Sequence, residues 1–288
     1  MRVGTRGSAL ALVQARWVAE RLGPGAEVVE ITTLGDRGAA VGDKSRWISE
    51  LERALLDGRI DVAVHSAKDV PTELPQGLEL VAIPERAAAR DVICGAASLA
   101  ELAPGSRVGT SSLRRAAQVR AVRDDLQVCD LRGNVDTRLR KLAAGEVDAL
   151  ILAAAGLERL GRGDEAGGVI EEFVPAAGQG ALAVEARSGA IGAERLAAVS
   201  DAEATACVTA ERVLVHALGA SCNTPVGAHA RARGEGRLTL TAWVGLPDGS
   251  AWLRDEVTAG AAEVGLACAG RMLAAGAAEL LRRAEVPA

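Results

Sequence analysis

The sequence predicts an α/β fold: two consecutive lobes, each a mostly parallel sheet flanked by helices, followed by a small α+β domain. Two observations carry this. Short apolar runs alternate with helix-period segments through residues 2–83 and again through 91–173, which is the alternation that builds parallel sheets covered on both faces. After about residue 190 the pattern changes to one helix, three alternating strands and a closing alanine-rich helix. Residues 1–86 and 175–190 are assigned to the first unit, 87–174 to the second and 191–288 to the third.

Taken in order, residues 2–5 read as a strand and Gly4-Thr5-Arg6-Gly7-Ser8 as a turn into a helix over 9–22. Ala11, Ala15, Val18 and Leu22 give that helix one buried face, and Gly23 stops it. A strand follows at 27–33. Residues 35–45, rich in Gly, Ala and charge, have no period and read as a mobile loop. Ile48, Leu51 and Leu55 mark the next helix, ended by Gly58. Ile60, Val62 and Val64 then alternate as a strand requires, and the pattern stops at His65-Ser66-Ala67-Lys68-Asp69-Val70-Pro71-Thr72-Glu73. Open α/β sheets place their chemistry at such strand ends. Pro71 and Pro75 stiffen the loop, and an ammonium beside a carboxylate keeps it ionised.

Residues 78–83 form a further strand, and 85–90 are the first crossing between units. The second unit places strands at 107–109, 126–131 and 148–152, each followed by a helix. Residues 158–168 and 175–180 bracket the return, after which 181–185 form a strand that rejoins the first unit. In the third unit Ser200 and Glu203 make a capping box for a helix running to about Leu218, with Gly219 after it. Residues 226–233, 238–244 and 252–257 alternate as antiparallel strands, with Pro247-Asp248-Gly249 as a turn.

Composition narrows the function. Against 38 Asp and Glu stand 33 Lys and Arg, a net charge of −5, so the balance suggests neither a nucleic-acid nor an anionic-membrane surface. With four Trp, one Phe and no Tyr, stacking platforms for single strands are scarce. Five widely spaced cysteines without a Cys-x-x-Cys pair or a nearby His argue against a disulfide framework and against a metal site. The apolar run at 9–13 is too short for a secretory segment, and no stretch is long enough to span a bilayer. A soluble cytoplasmic monomer is the expectation.

Three times an Arg stands at a turn that opens a helix after a strand: Gly4-Thr5-Arg6-Gly7-Ser8, then Gly109-Thr110-Ser111-Ser112-Leu113-Arg114-Arg115, then Leu131-Arg132-Gly133-Asn134-Val135-Asp136-Thr137-Arg138. Helix amino termini attract anions, and a guanidinium grips a carboxylate or phosphate with two hydrogen bonds. Three such turns favour a ligand with several anionic groups. No phosphate-binding glycine loop or dinucleotide fingerprint is present, which favours carboxylates. Buried cysteines are commonly inert, and Cys94, Cys129, Cys207 and Cys268 are read so. Cys222 differs, because it sits among the loop-forming residues Gly219-Ala220-Ser221-Cys222-Asn223-Thr224-Pro225.

The loop His65-Ser66-Ala67-Lys68-Asp69-Val70-Pro71, the turns at 109–115 and 131–135, and Cys222-Asn223-Thr224-Pro225-Val226-Gly227 together closely resemble the porphobilinogen deaminase (hydroxymethylbilane synthase) family. The resemblance runs in order from Arg2 into the last domain. It implies two lobes like those of periplasmic binding proteins, plus a third domain. It also implies a dipyrromethane cofactor, held by a thioether to the thiol matching Cys222, a soft nucleophile. The implied reaction condenses four porphobilinogens head to tail into hydroxymethylbilane, with loss of ammonia, for haem and related tetrapyrroles. Asp69 is then the catalytic group, hydrogen-bonding pyrrole N–H groups and stabilising a cationic azafulvene. Ser66, Lys68, Thr110, Ser111, Ser112, Arg114, Arg115, Arg132 and Gly133 fall to the cofactor. Arg6, Ser8, Gln14, Arg132, Arg138 and Arg159 fall to substrate. A chain of up to six rings brings about a dozen carboxylates, which accounts for so many separate Arg sites.

The chain departs from the family where Leu34 replaces an often basic residue, and where Gly42-Asp43-Lys44-Ser45-Arg46-Trp47 replaces a glycine-rich run ending in Phe. His65 is read as a structural hydrogen-bonding group, and His216 and His229 receive no role. The alternative reading is a two-lobed carboxylate-binding protein that performs no chemistry.

Overall fold

A computed structural model describes residues 1–32, 48–220 and 224–285. The loop expected at 35–45, the departures at Leu34 and Gly42 to Trp47, and Cys222 lie outside the described residues.

The first lobe contains β1 (Arg2–Thr5), α1 (Ala9–Leu22), β2 (Glu27–Glu30), α2 (Ser49–Leu56), β3 (Val62–Ser66), a single 3₁₀ turn at Ala67–Asp69 and β4 (Leu78–Ala82). Ser8 starts α1 by accepting a hydrogen bond from the Ala11 amide, and Gly23 ends it at a φ of 88° that favours glycine. The second lobe runs β5 (Asp91–Cys94), β6 (Arg107–Gly109), α3 (Leu113–Val122), β7 (Gln127–Cys129), α4 (Val135–Ala143), β8 (Ala149–Ala153), α5 (Ala154–Arg159) and β9 (Gly168–Val169). The chain then returns through β10 (Leu182–Arg187) and α6 (Ala193–Ala197).

Both sheets obey one plan. The first has the order β2-β1-β3-β10-β4 and the second β7-β6-β8-β5-β9. In each, three strands pair in parallel and one antiparallel strand is inserted beyond them, β10 against β3 and β4, β5 against β8 and β9. The inserted strands are the two that follow the crossings between lobes, so each crossing is anchored inside a sheet. The lobes also share a clasp. Arg2 is held to Asp61 through its amide (2.7 Å) and its guanidinium (2.7 Å), and Arg107 is held to Asp148 in the same way (2.7 and 2.8 Å). The sequence reading omits β5 and β9. The first is four residues opening on a charged Asp91, and the second has two residues, one of them glycine.

The third unit packs α7 (Ala202–Ala217), the antiparallel sheet β11 (Val226–Ala232), β12 (Arg237–Gly245) and β13 (Trp252–Gly260), and helices α8 (Val264–Ala274) and α9 (Ala277–Ala284) around one core. The single closing helix expected from sequence is two, bent by 80° beside Gly276. The amino cap of α7 is Asp201, which accepts from the Ala204 amide at 2.7 Å. The expected cap, Ser200, instead donates to the Leu196 carbonyl at 2.7 Å. Ile191, Leu196 and Val199 pack in the core of the first lobe with Val3, Val62 and Val184. The stretch 191–199, expected in the third unit, therefore packs with the first.

Candidate active site

Where β3 ends, the 3₁₀ turn presents Lys68 and Asp69, both half-buried. The turn is fixed from both sides: the Ala67 amide donates to the Ala181 carbonyl (3.0 Å), and the Val70 amide closes back on Ala67 (3.2 Å). Pro71 keeps Val70 extended, at φ −79° and ψ 125°. His65, just before the turn, faces inward. Its Nε2 lies 2.8 Å from Oε2 of Glu185 on the paired strand β10, and both side chains are buried. At the rim, Gln14 of α1 reaches Ser66 at 3.1 Å.

Gln179, fully buried on the return crossing, joins this loop to the second lobe. Its Nε2 donates to the Ala89 carbonyl (2.6 Å) and to Asp91 Oδ1 (2.9 Å). Three cations surround its Oε1: Lys68 Nζ at 3.5 Å, Arg114 Nη2 at 3.5 Å and Arg115 Nη2 at 3.4 Å. Arg114 also donates to Asp91 Oδ2 (2.7 Å) and the Val174 carbonyl (2.8 Å), and Arg115 to Asp91 Oδ1 (2.9 Å) and the Ile151 carbonyl (3.0 Å). Burial alone would raise the Asp91 carboxyl, but the two guanidiniums outweigh it and hold the group far below the usual carboxylate range. Burial pushes Arg115 down, and Asp91 opposes that shift, with a smaller contribution from Asp69. Arg114 and Arg115, expected to face a ligand directly, are thus 5% exposed with most of their donors committed.

The two turns of the second lobe come together through Arg138. Its Nη2 donates to Ser111 Oγ (2.8 Å) and its Nε to the Gly133 carbonyl (2.8 Å). Burial lowers Arg138 and the charge of Arg115 adds to the drop, while Asp130 and Asp69 work against it. Ser112 caps α3 by accepting from the Arg115 amide, and buried Thr110 accepts from the Ser112 amide (3.1 Å). Arg132 is exposed and paired with Asp130 at 2.8 Å. Arg159 donates to the Gly180 carbonyl at 2.7 Å, on the return crossing beside Gln179. Arg6 and Ser8 stay on the turn between β1 and α1.

A second node lies behind the loop. Glu211 of α7 is fully buried and accepts from Arg86 Nη1 (2.7 Å) and Nη2 (3.1 Å), the Gly178 amide (2.6 Å) and the Ala230 amide (2.7 Å). Both crossings and β11 therefore meet on one carboxylate. Burial raises Glu211, with Arg86 opposing. Sequence reasoning missed Arg86, Asp91, Gln179 and Glu211. For Glu211 a signal existed: Ala204, Cys207, Val208, Glu211 and Leu214 form the buried face of α7, and a carboxylate on an apolar face requires a buried partner.

Fold and site together define a two-lobed binder of a multiply anionic ligand, with one carboxylate held among its cations. The chain belongs to the porphobilinogen deaminase family. Residues 1–198 match the family description "Porphobilinogen deaminase, dipyromethane cofactor binding domain", and residues 205–274 match "Porphobilinogen deaminase, C-terminal domain". The chain is 50% identical to the porphobilinogen deaminase of Deinococcus deserti over 306 aligned positions and 48% identical to that of Deinococcus radiodurans over 304, covering 97% of each chain in both cases. The Thermus thermophilus protein of the same name is 46% identical over 292 positions, again with 97% of each chain covered. Among solved structures, the methionine binding protein MetQ is 14% identical, with a TM-score of 0.44 over 69% of this chain and 87% of that one.

The donor set fits a dipyrromethane. Lys68, Arg114 and Arg115 converge on a neutral amide oxygen, Asp91 pairs with both guanidiniums, and Arg114 Nε is a buried donor without a hydrogen-bond partner among the described residues. Donors of this kind suit acetate and propionate groups.

Proposed function

We propose that Asp69 is the catalytic carboxylate of this enzyme and that Lys68, with the arginine turns of the second lobe, holds the acid groups of cofactor and substrate. The enzyme is a transferase that condenses porphobilinogen head to tail into hydroxymethylbilane, releasing ammonia. When bound, the dipyrromethane supplies the terminal pyrrole carbon onto which new units are added.

Asp69 sits one residue from the Lys68 ammonium and within electrostatic reach of Arg115 and Arg138. It accepts hydrogen bonds from substrate pyrrole N–H groups and stabilises the positive charge that grows on the ring as the amine departs, a contribution of about 3–4 kcal/mol for a single preorganised group. Lys68, Ser66, Thr110, Ser111, Ser112, Arg114, Arg115, Arg132 and Gly133 form the cofactor side, with Gln179 and Asp91 keeping Arg114 and Arg115 in place. Arg6, Ser8, Gln14, Arg132, Arg138 and Arg159 form the substrate side. Cys222 is the attachment point, supported by its place in the sequence stretch Gly219-Ala220-Ser221-Cys222-Asn223-Thr224-Pro225, which is rich in turn-forming residues. The enzyme is read as a cytoplasmic monomer that binds neither nucleic acid nor membrane. Supporting this are the net charge of −5 and the free state of Cys94, Cys129, Cys207 and Cys268.

The observation that carries the assignment is the gathering of three cations around Gln179 Oε1 with Asp69 on the adjoining turn. The test is Asp69→Asn. It is expected to keep the covalently bound pyrrole pair, seen as an unchanged mass excess over the variant's own polypeptide, while turnover falls about 10²–10³-fold. Normal turnover by that variant would refute the role given to Asp69.

A further inference from the structure

Between the end of β3 and the start of β4, residues 67–77 carry the catalytic loop outside any sheet. Their carbonyls therefore need partners from elsewhere. Helix α7 of the third unit supplies them. Arg212 donates through Nη1 to the Val70 carbonyl (3.0 Å), and through Nη2 to the carbonyls of Pro71 (2.6 Å) and Thr72 (3.2 Å). Val208, one turn earlier, shares an apolar cluster with Ala67 and Val70. His216, one turn later, has Nδ1 3.8 Å from Glu73 Oε1. Steps of four residues place side chains on one helix face, so α7 runs alongside the loop from Val70 to Glu73. The apolar anchor at Val208 sets its depth, and the guanidinium fork fixes three successive carbonyls. A planar fork with five donors does this, and a single ammonium does not.

We infer that Arg212 is a positioning residue for the reaction: it acts through the loop to hold Asp69 where charge develops. The inference rests on the reading of Asp69 as the catalytic carboxylate. Misplacing a catalytic group by about 1 Å costs on the order of 10²-fold in rate, so the loop has to be held from outside.

The test is a double-mutant cycle on the holoenzyme, using Arg212→Leu, Arg212→Lys and Asp69→Asn, singly and combined. Turnover is read with porphobilinogen, cofactor loading by intact mass, and amide hydrogen exchange over residues 67–77 and 226–245. Arg212→Leu is expected to lower kcat about 10²-fold, with KM within about threefold and loading unchanged. Exchange is expected to rise over 67–77 and not over 226–245. Arg212→Lys, which reaches a single carbonyl, falls between. In the Asp69→Asn background either change costs less than about threefold, because the group it positions is gone. Additive losses in the cycle, wild-type kcat in Arg212→Leu, or a rate loss matched by lost cofactor would each overturn the inference. Should Arg212→Leu not fold, the same cycle on Arg212→Lys decides by the same criteria. Normal turnover by Asp69→Asn alone would instead overturn the role of Asp69, which separates the two failures.

Discussion

Gln179 on the return crossing donates through Nε2 to the Ala89 carbonyl on the outward crossing at 2.6 Å and to Oδ1 of Asp91, the first residue of β5, at 2.9 Å, while its Oε1 faces Lys68 of one lobe and Arg114 and Arg115 of the other. One amide therefore joins the two segments that link the lobes, and it does so beside the cations proposed to hold the ligand. The crossings and the proposed site share residues, so changes to this network are expected to affect stability and turnover together.

Asp91→Asn is the sharpest stability test of that network. Removing the charge takes from two buried guanidiniums the carboxylate they both pair with, a loss of about 3–5 kcal/mol. The sign of the pH effect follows from the lowered carboxyl. Its contribution is fully present above the unfolded-state value of about 3.9 and is lost as pH falls below it towards the depressed folded value. Denaturant melts of both proteins between neutral and acid pH measure this, and the difference between them narrows on the acid side.

Gly178→Ala tests how closely the return crossing lies on the catalytic loop. Gly178 has a φ of +71°, and a Cβ there would meet the Ala67 carbonyl carbon and the Lys68 amide nitrogen at 2.9 Å. Backbone does not yield as a flexible side chain does, and the left-handed conformation adds strain of about 1–3 kcal/mol. The variant should melt earlier and lose turnover at least tenfold even at temperatures where it is folded, because the displaced atoms belong to the Lys68–Asp69 turn. Paired melts and steady-state rates check both parts.

His65→Gln separates structure from proton transfer. His65 is buried against Oε2 of Glu185, whose Oε1 has no hydrogen-bond partner among the described residues. Disturbing the pair should cost about 1–3 kcal/mol, the penalty for a buried polar group left poorly paired. The folded enzyme should keep the shape of its kcat–pH profile, since His65 is buried against Glu185. A lost limb in that profile would give His65 a part in the chemistry.

Much of this was legible in the sequence. The strand before His65 and the helix after Ser8 follow from periodicity and turn chemistry, which are local. The arginine turns were legible as well, because Gly, Ser and Arg at helix starts have a local physical meaning. What could not be read was which charges would be buried against each other. Asp91 lies 23 and 24 residues from its two arginines, and Arg86 lies 125 from Glu211. Nothing local marks such pairs, so the bonds of Arg114 and Arg115 to Asp91, Val174 and Ile151 could not be read from the sequence. Strand β5 was hidden for a related reason: its first residue is the buried Asp91, a charge where the pattern calls for an apolar side chain.

Growth of pyrrole units on a primer bound through Cys222, as proposed, is tested most directly by the intact mass of the denatured protein beside that of Cys222→Ser. The wild-type protein is expected to carry an excess equal to two linked pyrrole units, and the variant to have the bare polypeptide mass. Bare mass in both, persisting after incubation with porphobilinogen, or an excess that survives in Cys222→Ser, would contradict it.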